Sequence, residues 1–109
     1  MEDRITYPKF IAEAFDIAKE ALGEKGNRDD ALDYIWQACD MHRWVIYYAY
    51  AIDFCSTIDI SDAEEEFEDM GGWQKGDTFG SVACKLTFLA LNREAERQLD
   101  RMLRDREAA

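Results

Sequence analysis

Cys39 and His42 stand three residues apart, a spacing that puts both on one face of a helix. Thiolate and imidazole are zinc ligands, but a zinc centre needs about four ligands, or three and a water. The chain has one His and three Cys (Cys39, Cys55, Cys84) with no short paired spacing. A buried thiol and a histidine at a helix end are the expectation instead. His42 near Asp40 has the parts of a general base, yet no nucleophile lies at a matching spacing. The carboxylates of "DAEEEFED" are Ca²⁺-type ligands without the glycine-turned loop that an EF-hand needs. Gly71-Gly72 and "KGDTFGS" lack a phosphate-loop pattern. The expectation is therefore no catalytic set, no metal and no cofactor: a binding protein rather than an enzyme.

The chemistry that stands out is charge in rows. Between Asp59 and Asp69 there are seven carboxylates and no Lys or Arg. In the first helical segment Glu13, Asp16, Glu20 and Glu24 follow at steps of three, four and four, on one face opposite the apolar stripe. They span about 16.5 Å at the helical rise. One strand of B-DNA carries roughly five phosphates over that length. Asp29, Asp33 and Asp40 share a face of the second segment, with Asp30 beside them. Asp62, Glu65, Glu66 and Asp69 form an outward row in the acidic segment, with Glu68 alongside. Acidic helix faces usually serve only solvation, and Glu is a good helix former. Against that stands the scarcity of Lys at i+4. Like-charge pairs such as Glu20–Glu24 and Asp62–Glu66 each oppose folding by a few tenths of a kcal/mol.

The elements that must hold these rows read as helices almost throughout. The first runs from about Tyr7 to Leu22, with Thr6 as N-cap, Pro8 in the first turn, and Gly23 and Gly26 closing it. Ile11, Ala14, Phe15, Ala18 and Leu22 form its apolar face. A second helix opens near Asp29 and buries Leu32, Ile35, Trp36 and Cys39. Trp44 to Ile52 is apolar all round, which predicts a helix buried on every side, by its own core or a partner chain. Its aromatic and β-branched content also suits a strand, but no neighbouring segment supplies a pairing partner. A short acidic helix follows with Ala63, Phe67 and Met70 inside. The last helix runs from about Asp77 or Thr78 to Arg106, with Phe88, Leu91, Ala95, Leu99 and Met102 as its stripe. The predicted architecture is a single all-α domain over 1–109: a compact bundle of four to five helices with a long C-terminal helix.

Composition bounds the partners. Formal net charge is -11, and 48% of residues are hydrophobic, enough for a packed core. Met1–Asp77 holds 19 acids and 7 bases, a net of -12, while Thr78–Ala109 holds 5 acids and 6 bases, a net of +1. This balance argues against direct nucleic-acid binding or an anionic membrane surface and favours a cationic partner. The longest apolar run is nine residues, short of the roughly 20 that span a bilayer. The N-terminus shows no apolar signal core. Free cysteines set among apolar residues predict a reducing, cytoplasmic setting.

"TYPKFIAEAFDIAKEAL" resembles the opening of the phage Ocr-type anti-restriction DNA mimics, through Thr6-Tyr7 and Ala14-Phe15-Asp16. "RDDALDYIWQACD", "YYA" at Tyr47–Ala49 and "FEDMG" at Phe67–Gly71 follow in the family's order, and the similarity covers roughly Thr6 to Leu91. The resemblance implies an all-α homodimer whose carboxylates imitate DNA phosphates in the groove of a type I restriction-modification enzyme or related defence complex. The matching acids are Asp16, Glu20, Asp29, Asp30, Asp33, Asp40, Glu68 and Asp69. The chain departs from the family at its end, where Arg93, Arg97, Arg101, Arg104 and Arg106 stand in place of an acidic tail. A different basic target, such as the nucleic-acid channel of a CRISPR effector, fits the same acids.

The expected partner-binding set is thus Glu13, Asp16, Glu20, Glu24, Asp29, Asp30, Asp33, Asp40, Asp62, Glu65, Glu66, Glu68 and Asp69. Trp44, Tyr47, Tyr48 and Phe54 are the expected dimer contacts. The alternative is a small acidic helical interaction module, such as an anti-CRISPR-type inhibitor, that forms a homodimer or heterocomplex without mimicry.

Overall fold

The computed structural model describes residues 4–108, which form six helices and no strand. Helix α1 spans Tyr7–Lys25 and α2 spans Arg28–Asp40. Thr6 caps α1 with Pro8 in the first turn, as its sequence requires. Gly23 does not end it. The helix runs to Lys25, where Gly26 adopts φ 77° and its N–H returns to the Leu22 carbonyl at 2.8 Å. Asn27 then caps α2, its Oδ1 accepting from the Asp30 N–H at 3.0 Å. So short a connection folds the two helices back as an antiparallel hairpin. Side-chain contacts Glu20–Tyr34 and Glu13–His42 pair them in that sense.

The apolar stretch after His42 is not one buried helix. It divides into α3, Arg43–Ile46, and α4, Tyr48–Thr57, with Tyr47 extended between them (φ -105°, ψ 119°). Val45, Ile46 and the aromatic run are poor helix formers. His42 also starts a new helix by accepting the Trp44 N–H on Nδ1 at 3.1 Å. The break turns Trp44, Val45, Ala51 and Phe54 inward and leaves Ile46, Tyr47, Tyr48 and Ile52 about half exposed.

Helix α5 covers Ser61–Asp69. Asp59 holds its start, with Oδ1 accepting from the Ser61 N–H and hydroxyl. The 30-residue α6, Phe79–Ala108, packs against all five other helices. Its length, about 45 Å, matches the 47 Å long axis of the molecule. Leu91, Ala95 and Leu99 are fully buried on it, as their spacing predicts. Three expected core residues are not inside: Phe15, Trp36 and Met70 are exposed, and Phe10 and Ala21 take inner positions on α1.

Candidate binding face

The fold sorts the thirteen expected binding acids into two groups. The first is neutralised within the molecule. Arg93 Nη1 lies 3.0 Å from Glu66 Oε1, and Arg97 Nη2 lies 3.3 Å from Asp62 Oδ2. Both pairs join α5 to α6. Glu13 is 76% withdrawn from solvent, with Oε1 3.4 Å from His42 Nε2 and 3.6 Å from Arg43 Nη1. Burial pushes the His42 pKa down, with Glu13 opposing that shift. Asp62, Glu66 and Glu13 thus have ion-pair or imidazole partners within the molecule.

The second group faces solvent. Among the described residues, no Lys or Arg nitrogen lies within 4 Å of Asp16, Glu20, Glu24, Asp29, Asp30, Asp33 or Asp40. All seven are exposed. Two of the neighbouring bases are engaged elsewhere: Lys9 Nζ donates to the Arg4 carbonyl at 2.8 Å, and Arg28 Nε reaches across to Asp100 at 2.9 Å. Lys19 and Lys25 lie on α1 itself, with no carboxylate among the described residues within 4 Å. Glu20 accepts from the Tyr34 hydroxyl, and Asp30 accepts from Asn27 Nδ2 at 2.9 Å. Those bonds fix the two carboxylates without neutralising them. The antiparallel hairpin thus carries seven carboxylates on two adjoining helices. Glu65, Glu68 and Asp69 are likewise exposed, at the far end of α5.

The expected dimer set also divides. Trp44 and Phe54 are 4% and 0% exposed and pack together in the protomer's own core, with ring centroids 6.1 Å apart. They are corrected from interface to core. Tyr47 and Tyr48 remain on the surface. Cys39 is wholly buried, and burial raises its thiol pKa to about 12, so it lies in the core rather than beside His42 as a ligand.

Sequence reasoning missed the α5–α6 pairs, although a signal was present. Asp62 and Glu66, and Arg93 and Arg97, each stand at i,i+4, so two matched rows of opposite sign were already spaced to meet. It also missed a cleft of about 430 Å³ lined by Val45, Ile46, Phe67, Met70, Cys84 and Phe88. Comparison with protein-family models, curated proteins and solved structures found no match to this chain. No helix among the described residues is long and apolar enough to cross a membrane.

Proposed function

We propose that the protein is a stoichiometric inhibitor that docks its α1–α2 acidic face into the cationic DNA groove of a host defence enzyme. A type I restriction-modification complex is the first target to test. The observation that supports this reading is the separation just described. The acids of α1–α2 stay unneutralised although the chain holds five arginines on α6, two of which, Arg93 and Arg97, pair with acids of α5 and of α6 itself. An acidic face kept only for solubility has no need of that segregation, because mixed signs keep a protein soluble at lower cost. The acids matched by the Ocr-type resemblance include Asp16, Glu20, Asp29, Asp30, Asp33 and Asp40 of these two helices, with Glu68 and Asp69 on α5. Competition tests it: the protein displaces labelled duplex DNA from the purified complex at low salt, and the displacement weakens steeply as salt rises. Absence of displacement at low salt rejects that target.

One observation favours a second reading, self-association. Tyr48, Ile52, Trp73 and Phe79 are exposed, and the Trp73 and Phe79 rings meet edge to face at 5.6 Å. Exposed apolar groups in such proximity suit an interface between two copies. Mass in solution, with Tyr48→Asp as the disrupting variant, separates a homodimer from a monomer.

A further inference from the structure

We infer that the cleft beside Asp40 is the anchor pocket of the binding face: it takes one aliphatic or aromatic side chain from a Lys/Arg-rich segment of the partner. The inference rests on the acidic-face reading and adds the partner's chemistry to it. The cleft lies between the end of α2, α3, the end of α5 and the first half of α6, and its volume of about 430 Å³ falls in the range of ligand-holding sites. Its walls are Val45, Phe67, Phe88 and Leu89, and its lip is Ile46 and Met70, which are 50% and 68% exposed. An apolar side chain entering there leaves water and covers the exposed lip.

Charge at the rim selects what accompanies that side chain. Asp40 belongs both to the rim and to the acidic row of α2, so the cleft is continuous with the face. Glu68 lies over the rim glycine Gly72, its Oε2 2.9 Å from where a Cβ would stand. The rim cation, Lys85, is occupied, with Nζ 3.1 Å from Asp77 Oδ1. Asp77 is itself held by the Gln74 N–H at 2.8 Å. An apolar floor under an anionic rim fits a hydrophobic residue flanked by cations. A buried apolar anchor ringed by polar contacts is the usual distribution of binding energy at an interface.

Two synthetic peptides test this: a helix-forming Lys/Ala peptide, and the same peptide with one central Leu. Binding is followed at low and moderate salt by titration calorimetry. The Leu peptide is expected to bind about 10- to 100-fold more tightly, the effect of burying one aliphatic side chain. Ile46→Glu, which adds negative charge at the lip, is expected to abolish the Leu advantage while leaving the salt-sensitive binding of the plain peptide intact. Cys84→Leu, which fills the cleft from within, is expected to do the same. Equal binding of the two peptides, or a Leu advantage that survives both substitutions, overturns the anchor pocket and leaves the acidic face standing. If neither peptide binds at low salt, both are overturned.

Discussion

Replacing Glu24 by Gln and Asp33 by Asn changes only exposed side chains, and stability is expected to rise. Three like-charge contacts disappear: Glu20–Glu24 and Asp29–Asp33 at i,i+4, and Asp30–Asp33 at i,i+3. Each is worth about 0.2–0.5 kcal/mol, so the sum is about 0.6–1.5 kcal/mol. Glu24 adds to it by leaving the last turn of α1, where a negative charge opposes the helix dipole. The companion variant, Asp62→Asn with Glu66→Gln, is expected to shift stability the other way. It breaks the Arg97–Asp62 and Arg93–Glu66 pairs, which are partly exposed at 3.3 and 3.0 Å. Each such pair contributes about 0.2–1 kcal/mol. Three relieved repulsions, Asp62–Glu66 at i,i+4 and Asp62–Glu65 and Glu66–Asp69 at i,i+3, together about 0.6–1.5 kcal/mol, offset part of the loss, while taking the Asp62 charge out of the first turn of α5 adds about 0.3–1 kcal/mol to it. Urea denaturation at low salt, compared with 1 M salt, reads both effects. Screening should shrink both toward zero. If the α1–α2 variant is the less stable of the two at low salt, the division of the acids into a binding set and a folding set is wrong.

Three further outcomes check the structure. The single imidazole, His42, should titrate below its ordinary range by NMR, and Glu13→Gln should lower it further, because Glu13 opposes the burial effect. Since the folded state then binds this proton more weakly than the unfolded chain, His42 contributes a loss of stability as pH falls through about 6.5; a raised imidazole pKa contradicts the burial. Gly80→Ala would put a Cβ 2.6 Å from Tyr48 Cδ2 and 2.9 Å from Cγ. Overpacking of about 1–3 kcal/mol outweighs the helix gain of about 1 kcal/mol, and Tyr48→Ala in the same chain should restore stability, which a thermal melt of the double variant decides. Asp53→Ala removes the acceptor of the Ile5 N–H at 2.8 Å and of Arg4 Nε at 3.3 Å; a loss of about 1–3 kcal/mol is expected in urea, and an unchanged midpoint would show that the N-terminal segment is not held there.

Local pattern carried most of the fold. Gly26 and Asn27, the stripe Leu91–Ala95–Leu99 and the pair Ala63–Phe67 each report on their own helix, so spacing alone locates them. Trp44–Ile52 was opaque for the opposite reason: apolar on all sides, it has no polar residue to mark which face turns out, and the break at Tyr47 has no side-chain cap to mark it. The binding face was half legible. The rows on α1 and α2 follow from i,i+4 spacing, but which acids meet the arginines of α6 is set by which helix faces turn toward each other in the folded molecule. That is a long-range fact, and it gives Asp62 and Glu66 their arginine partners. The cleft at Asp40 draws on four separate elements, so no single stretch of sequence announces it.

The central claim is that seven carboxylates on α1 and α2, and not those paired on α5, hold a cationic groove. The measurement that tests it most directly is the concentration needed for half-displacement of labelled duplex DNA from a type I restriction-modification complex. Three proteins are compared at one low salt concentration: the natural sequence, Asp16→Asn with Asp33→Asn and Asp40→Asn, and Asp62→Asn with Glu66→Gln. The account predicts a large loss of competition in the first variant and little change in the second. Equal competition by all three, or a loss confined to the α5 variant, contradicts it.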